Sequence, residues 1–244
     1  MGKSSSKKQA SMIFVTKTPL ESSQQTALRT HPISDTKVQN TTTVVYPQMY
    51  KGHFDKLILS NYDIQKRCKE MAIYIHNTYP HNEPLVLMCT LKGSAPFFSM
   101  LCNELSLVGH PYMIEFYRAQ SYEGLSSSQH VKMDASQLPK SIQGRHLLIV
   151  EDIIDTGLTM QKLMEAVETK NPKSCKACSM LVKRLEQESG NTTNQVSFEQ
   201  ELIGFSIPDK FVVGFGLDYN QMYRDLRDIW ILNETGIKYG GFEK

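Results

Sequence analysis

The 244-residue sequence has few cysteines, a single tryptophan and no long apolar run. Its five cysteines are an odd number scattered along the chain, which argues against a disulfide framework and favours a reducing compartment. No apolar stretch approaches the roughly 18 residues of a membrane span, and no apolar segment follows the basic start as in a signal peptide. These absences predict a cytoplasmic protein without a membrane span. The apolar content of 40% is enough for a packed core.

The chain beyond residue 50 also lacks an excess of positive charge. The first 50 residues carry six Lys or Arg against two Asp or Glu, so that segment is +4 and the remainder is −2. A nucleic-acid-binding body would need an excess of positive charge on the folded part. The sequence therefore predicts no nucleic-acid partner.

The N-terminal segment differs in composition from the rest. Residues 1–44 are rich in Ser, Thr, Gln and Lys without sustained periodicity, which predicts a disordered basic extension before one domain over 45–244. The opening "MGKSSSKK" fits N-myristoylation at Gly2, with Lys7 and Lys8 as a basic second signal. The alternative is a solvated tail without a lipid.

Apolar runs alternate with helical patterns along the domain. Residues from Asn61 onward, 95–108 and 158–169 are predicted as helices. The predicted strands are 84–91, 112–117, 146–150, 175–182, 211–216 and 229–232. Unbroken apolar strands that alternate with helices indicate an α/β fold, with a parallel sheet covered on both faces.

Two stretches between these elements raise separate questions. The polar residues 119–145 are too many for a tight connection, which predicts a flexible lid loop. The pair Cys175 and Cys178 in "CKAC" matches a redox or zinc motif in spacing, but three residues along a strand place the two sulfurs on opposite faces. A redox or zinc role for that pair is therefore not favoured.

The most informative stretch is "VEDIIDTGLT", residues 150–159, at the end of a predicted strand and the start of a helix. Parallel α/β sheets bind ligands at this position. The turn at Gly157, its backbone amides and the hydroxyls of Thr156 and Thr159 are suited to a phosphate monoester. Glu151 and Asp152 are suited to a ribose diol or Mg²⁺. Taken alone, Asp-Thr-Gly also occurs in aspartic proteases and in ordinary capped turns.

The complete string, together with its context, resembles the phosphoribosyl-diphosphate (PRPP) motif of the type I phosphoribosyltransferases. The stretches "LKGS", "FYRAQSYEG", "SMLVKR" and "FVVGFGLDYNQMYRDL" extend the resemblance to the hypoxanthine-guanine phosphoribosyltransferases, over about residues 46–239. The resemblance implies a parallel sheet flanked by helices, with a small hood subdomain formed by N- and C-terminal segments. It also implies purine salvage, in which PRPP and hypoxanthine or guanine give IMP or GMP plus pyrophosphate, with Mg²⁺ and in a homodimer or homotetramer.

The resemblance also implies a role for each matching residue. The groups of PRPP are assigned first: the 5′-phosphate to Asp155, Thr156, Gly157, Leu158 and Thr159, the ribose to Glu151 and Asp152, and the pyrophosphate to Lys92, Gly93, Arg118 and Arg224. The purine is assigned to Lys183, Phe211, Val212 and Asp218, and the metal to Glu151, Asp152 and Asp218. Ser121 and Tyr122 are assigned to the lid. Asp155 would be the general base. Because an ammonium group only donates, Lys183 would favour 6-oxopurines over adenine. The Leu91–Lys92 peptide can be cis in the family.

Three positions depart from the commonest family pattern. Ser94 stands where a second glycine follows "LKG", Gln120 replaces a basic residue of the lid, and Leu158 replaces lysine in the phosphate loop. The first two predict a raised KM for PRPP. They also keep open a catalytically weak paralogue that binds nucleotide as a regulatory module. An unrelated flavodoxin-like or receiver domain is a further alternative, since it too carries acids at strand ends.

Overall fold

The computed structural model describes residues 31–32, 45–118, 135–186, 192–193 and 200–240. The strands in these residues are β1 (His31–Pro32), β2 (Phe54–Leu59), β3 (Leu85–Thr90), β4 (Tyr112–Tyr117), β5 (His146–Ile154), β6 (Ser174–Glu186), β7 (Thr192–Thr193), β8 (Gln200–Pro208), β9 (Val212–Val213) and β10 (Ile229–Leu232). The α-helices are α1 (Asn61–Thr78), α2 (Ala95–Leu107), α3 (Leu158–Glu168) and α4 (Glu234–Gly240). Short 3₁₀ helices cover Gln48–Tyr50, Ala135–Gln137 and Lys140–Ile142.

The main sheet has the spatial order β1-β8-β6-β5-β3-β4, and all neighbours in this order are parallel. Strand β7 adds to β6 in the antiparallel direction. From β3 the chain moves outward to β4, then returns to the other side of β3 and continues through β5, β6 and β8. The winding therefore reverses between β3 and β5, and a crevice at the carboxyl ends of these strands is the expected ligand site.

Successive residues of the central strands point to opposite faces and enter two separate cores. Leu87 of β3 and Val150 of β5 pack in the core that includes α1 and α2. Val86 of β3 and Ile149 of β5 pack in the core that includes α3. Both faces of the sheet are covered, which explains why its strands are almost continuously apolar.

Helix α1 shows how local sequence sets a boundary. Ser60 is its N-cap, and its side chain accepts a hydrogen bond from the backbone N–H of Asp63. Ile64, Met71 and Ile75 are fully buried at helical spacing against the sheet. The sequence-based prediction of this helix is confirmed.

A second, antiparallel sheet of order β2-β10-β9 forms the hood. Its core includes Tyr223, which is fully buried, and the Tyr223 hydroxyl lies 3.1 Å from His53 Nδ1 and 2.9 Å from the Gly236 carbonyl. Strand β2 precedes the central strands β3 to β8 of the main sheet in the chain, whereas β9, β10 and α4 follow them. The implied hood of N- and C-terminal segments is therefore present.

Several predicted boundaries need correction. Strand β5 continues to Ile154, so it includes the acidic pair that was placed beyond its end. The strand predicted over 211–216 is limited to Val212–Val213, because Gly214, Phe215 and Gly216 have φ values of 98°, 51° and 94°. These left-handed conformations are incompatible with an extended strand. Strand β8 was not predicted.

Part of the predicted lid is packed on the main sheet. Leu138 and Ile142 are buried in the core that includes α3, so residues 135–145 are held by apolar contacts. The remaining lid positions, Gln120, Ser121 and Tyr122 among them, lie outside the described residues. Gly2 lies outside them as well. In the N-terminal segment, β1 pairs with Phe205–Ser206 of β8. Across the described part of the chain, each helix is too short or too polar to cross a bilayer.

Candidate active site

A cavity of about 240 Å³ opens at the carboxyl end of β5, beside the point where the winding reverses. Its lining consists of Glu151, Ile153, Ile154, Asp155, Thr156, Gly157, Thr159 and Met160. The site therefore coincides with the stretch that the sequence singled out.

The loop from Asp155 to Gly157 turns the chain from β5 into α3. Gly157 is the N-cap of α3 with φ 80°, a conformation that glycine adopts without strain. The backbone amides of the first turn of α3 face no helical partner, and the helix dipole adds positive potential there. Leu158 is 54% exposed, so its uncharged side chain lies toward solvent. This geometry suits a phosphate group.

A buried serine contacts both acidic residues at the end of β5, one through its carboxylate and one through its backbone. Ser94 is fully buried, and its hydroxyl donates to Glu151 Oε1 at 3.0 Å and accepts from the Asp152 backbone N–H at 3.0 Å. Burial, followed by the charge of Asp152, raises the pKa of Glu151 well above its ordinary value. The Ser94 side chain therefore faces β5, where the sequence alone suggested only an extra Cβ in the pyrophosphate loop. The predicted increase in KM for PRPP stays a prediction.

Gly93 lies where the loop after β3 meets β5. A Cβ built on Gly93 would come within 1.6 Å of Asp152 Oδ2, so only glycine fits beside this carboxylate. The backbone of Gly216 lies close to the same loop, since a Cβ built on Gly216 would lie 2.0 Å from the Gly93 carbonyl oxygen. The preceding Leu91–Lys92 peptide is cis. These close approaches bring together the loop after β3, the end of β5 and the segment that contains Gly216.

Lys183 contacts carboxylates from both sides of its strand. Its Nζ lies 3.1 Å from Asp155 Oδ2 and 3.1 Å from Asp209 Oδ1. Asp155 follows β5 and Asp209 follows β8, the two neighbours of β6, which carries Lys183. Burial alone would lower the pKa of Lys183, but the hydrogen bonds to Asp209 and Asp155 outweigh it and raise that pKa. Lys183 is therefore a fixed cation at the edge of the cavity.

A third group of polar residues connects the loop after β3 to the segment after β9. Lys92 Nζ donates to Gln221 Oε1 at 3.2 Å, and the Gln221 backbone N–H donates to Asp218 Oδ2 at 2.7 Å. Arg224 is 2.6 Å from Asp218 Oδ1 and donates to the Gly216 carbonyl at 2.7 Å. The structure brings Lys92, Asp218 and Arg224 together through Gln221. Arg118 is exposed immediately after β4, the neighbour of β3.

Phe211 offers an aromatic surface at the start of the hood segment. Its ring is 46% exposed and packs edge-on against Tyr219, with ring centroids 5.1 Å apart. The adjacent Val212 is buried in β9, which pairs with Ile231 of β10. An exposed ring face of this kind can stack on a planar base.

The donors present fit Mg²⁺. Asp152 and Asp218 are partly exposed carboxylates, and hard oxygen ligands of this type are those that Mg²⁺ prefers. Each carboxylate oxygen that accepts one hydrogen bond keeps a further lone pair, so the contacts to Gln221 and Arg224 leave capacity for an ion. Glu151 is held by Ser94 and would contribute after a shift of its side chain.

Sequence reasoning missed three contributors to this site. Asp209, Gln221 and Tyr219 lie close to assigned residues in the chain, but nothing in their spacing distinguishes them from ordinary loop residues. Only the pairing of β8 with β6 brings Asp209 to Lys183. The role of Ser94 was also missed, because a side chain in a turn has no direction that can be read from sequence.

Comparisons with known proteins agree with this geometry. Residues 56–220 match the phosphoribosyl transferase domain family. The hypoxanthine-guanine phosphoribosyltransferase of Homo sapiens is 39% identical over 196 residues, which cover 78% of this chain and 86% of that protein. The enzyme of Canis lupus familiaris is 35% identical over the same shares of the two chains.

Solved structures give the same result. The hypoxanthine phosphoribosyltransferase from Trypanosoma cruzi, in complex with the product IMP, has a TM-score of 0.64 at 36% identity and covers 78% of this chain and 100% of its own. A second structure of that enzyme, concerned with the role of its C-terminal region in oligomeric state and activity, has a TM-score of 0.65 at 35% identity, covering 79% and 98%.

The fold and the site therefore place this chain in the phosphoribosyltransferase family. Within that family it belongs with the hypoxanthine-guanine phosphoribosyltransferases. The flavodoxin-like or receiver alternative is wrong. That fold has the same order as the five strands β4-β3-β5-β6-β8, but it predicts neither the family match nor the hood.

Proposed function

We propose that this protein transfers the 5-phosphoribosyl group of PRPP to hypoxanthine or guanine, giving IMP or GMP and pyrophosphate in purine salvage. The observation that carries the proposal is the contact between Lys183 and Asp155, which joins a donor for a 6-oxopurine to a phosphate-binding loop at 3.1 Å. The named activity of the human and dog relatives supports the same reaction.

PRPP would bind with its two charged ends on opposite sides of Asp152. The 5′-phosphate would accept hydrogen bonds from the amides and hydroxyls of residues 155–159, at the positive end of α3. The pyrophosphate would meet Lys92, the Gly93 amide, Arg118 and Arg224, since planar guanidinium groups match phosphate oxygens. The ribose hydroxyls would then lie at Glu151 and Asp152.

The purine would stack on Phe211 and receive a hydrogen bond at its six-position oxygen from Lys183. Adenine carries an amino group there, and two donors cannot pair, so its binding would leave the Lys183 ammonium unsatisfied. The backbone carbonyls of Val212 and Asp218 would accept from the exocyclic amine of guanine.

Chemistry requires the purine to lose a proton as its nitrogen bonds to the ribose carbon. Asp155 would accept this proton as general base. The departing pyrophosphate leaves positive charge on the ribose. This charge would favour the ionised forms of Glu151 and Asp152 and would be stabilised by them. Mg²⁺, when bound by Asp152, Glu151 and Asp218, supplies neutralisation of the pyrophosphate charge. Ser121 and Tyr122 would close over the site and exclude water.

The cellular compartment and the oligomeric state are inferred from the same family. We infer that the enzyme works in the cytoplasm and forms a homodimer or homotetramer, as the relatives' enzyme class and the chain's cysteine content favour. A catalytically weak paralogue is not favoured, because Asp155 and Thr159 are both retained beside an assembled cavity.

A product assay tests the proposal. Purified protein is incubated with PRPP, Mg²⁺ and one of hypoxanthine, guanine, xanthine or adenine, and nucleotide is measured by chromatography. IMP and GMP are expected, and AMP is not. Absence of nucleotide with every base would reject the enzyme, and AMP as the main product would reject the assigned role of Lys183. Xanthine reports how the pocket accepts a second oxo group.

A further inference from the structure

Three histidines meet at the edge of the main sheet opposite the active site. His76 lies in the last turn of α1, His81 in the connection to β3, and His110 in the connection from α2 to β4. One ring nitrogen from each histidine lies within 4.8 Å of the other two. The cluster is at the amino ends of β3 and β4, about 20 Å from the carboxyl ends at roughly 3.3 Å per strand residue.

Two of the three rings are buried, and their contacts hold the group together. His76 is 5% exposed and His110 is 3% exposed, whereas His81 is exposed. The His76 and His81 rings stack with centroids 4.1 Å apart, and His110 meets both edge-on, at 5.7 Å and 5.4 Å. Burial of the His76 and His110 rings restricts their motion, whereas the exposed His81 ring has more freedom to adjust to an ion.

The protonation of His81 favours a ligand role. Its Nε2 lies 2.7 Å from the backbone carbonyl oxygen of His76, which only accepts hydrogen bonds. Nε2 of the neutral ring therefore carries the proton, and Nδ1 presents a lone pair. Histidines that bind metals commonly donate their other N–H to a carbonyl or carboxylate in this way.

We propose that His76, His81 and His110 form a binding site for a divalent transition-metal ion of the imidazole-preferring class, with Zn²⁺ as the physiological occupant. Three imidazoles and a water molecule make a tetrahedral set for Zn²⁺. Zn–N distances of about 2.0–2.1 Å place the donor nitrogens of such a set roughly 3.3 Å apart. The donor nitrogens lie within 4.8 Å of one another, so each pair needs to close by at most about 1.5 Å to reach that spacing.

The donor set separates this site from the active site by chemistry. Imidazole nitrogens suit Zn²⁺, Cu²⁺ and Ni²⁺, whereas the carboxylates at Asp152 and Asp218 suit Mg²⁺. The ion would connect the end of α1 to the loops before β3 and β4. Its binding would therefore stabilise the folded chain without touching substrate.

Zn²⁺ binding to the full-length protein tests the proposal. Metal-free protein is titrated with Zn²⁺ against a chromophoric chelator, in an excess of Mg²⁺ that occupies the carboxylate site. One equivalent is expected to bind, with a rise in melting temperature of about 5 °C or more. His81→Asn and His110→Asn should each weaken Zn²⁺ binding at least tenfold.

Matched variants distinguish the outcomes. His146→Asn changes another histidine at the same sheet edge and should keep the Zn²⁺ response. His81 is exposed, so His81→Asn should keep the melting temperature of the metal-free protein and its phosphoribosyl transfer. Two results would show that the rings only pack against one another. One is failure of the wild type to bind one equivalent of Zn²⁺, and the other is Zn²⁺ binding by His81→Asn and His110→Asn with the affinity of the wild type. Neither result depends on whether the active site has the proposed activity.

Discussion

At the scale of single residues, the site depends on which charged groups are fixed before substrate arrives. Lys183 holds Asp155 and Asp209 at equal distances of 3.1 Å, although only Asp155 lies in the proposed phosphate loop. Ser94 similarly fixes Glu151 from a buried position. These contacts preorganise the carboxylates around the expected position of the ribose, where reaction would create positive charge.

The two carboxylates beside Lys183 should differ in function. Asp155→Asn removes the assigned base and is expected to lower kcat by about 10²–10⁴-fold. Asp209→Asn removes the other partner of the same ammonium, so it should change KM for hypoxanthine more than kcat. Steady-state kinetics of both variants gives the comparison. Equal losses of kcat would contradict the assignment of the base to Asp155.

The raised pKa of Glu151 predicts a pH dependence of stability. A carboxyl whose pKa is raised in the folded state binds its proton more tightly there than in the unfolded chain. Its stabilising effect is present below the ordinary glutamate pKa of about 4.3 and is lost as pH rises through the folded value. Without ligands, Glu151→Gln should therefore reduce the fall in unfolding free energy between pH 4 and pH 8.

Urea denaturation across this pH range measures the effect. Glu165→Gln changes an exposed carboxyl on α3 and should leave the wild-type pH dependence in place. Identical pH profiles for the wild type and Glu151→Gln would show that Glu151 is not the group responsible.

At the scale of elements, the active site forms where the loop after β3 crosses the end of β5. The reversal of winding between these strands leaves both carboxyl ends open, and the hood segment at Gly216 closes one side. At this crossing the backbone of Gly93 lies against the side chain of Asp152 and leaves no room for a Cβ atom.

Replacement of Gly93 tests that contact. Gly93→Ala places a Cβ 1.6 Å from Asp152 Oδ2 and must displace this carboxylate, which is held by the Ile153 backbone N–H at 2.8 Å. We expect loss of most activity through a raised KM for PRPP, with the fold retained. Gly144→Ala is the control, since φ is 69° there but no atom lies within 4 Å. It should cost about 1 kcal/mol of stability and no activity. Normal PRPP kinetics in Gly93→Ala would contradict the close approach.

At the scale of the whole molecule, the hood unites segments that are distant in the chain. Tyr223 connects the loop after β9 to His53 before β2 and to Gly236 in α4. The hood also carries Phe211 and Val212, so its position relative to the main sheet would determine the geometry of the proposed purine site. Long-range contacts of this kind cannot be inferred from local periodicity.

Tyr223→Phe should therefore weaken both stability and purine binding. The variant leaves a buried carbonyl and a buried imidazole nitrogen without the hydroxyl, which costs about 1–3 kcal/mol. The KM for hypoxanthine should rise more than the KM for PRPP. Thermal unfolding and steady-state kinetics measure these effects, with Tyr62→Phe on the exposed face of α1 as control. A variant with unchanged melting temperature would show that the hydroxyl is dispensable.

Much of the fold was predictable because its signals are local. Continuous apolar runs identified β3, β4, β10 and most of β5 and β6, and helical spacing identified α1, α2 and α3. The strand β8 was missed because it follows a polar stretch and lacks a distinct boundary signal. The proposed strand over 211–216 was too long, since the left-handed backbone at Phe215 has no reliable sequence signature.

The amino-acid sequence by itself determined the class of chemistry, because the proposed phosphate loop and its acidic pair are contiguous and their spacing has a direct physical meaning. Tertiary structure decided how the parts are joined. It placed Asp209 beside Lys183, turned the Ser94 hydroxyl toward Glu151 and gathered three histidines at the far edge of the sheet. These contacts join residues from separate strands and loops, so they exist only after the strand order and the winding of the chain are set.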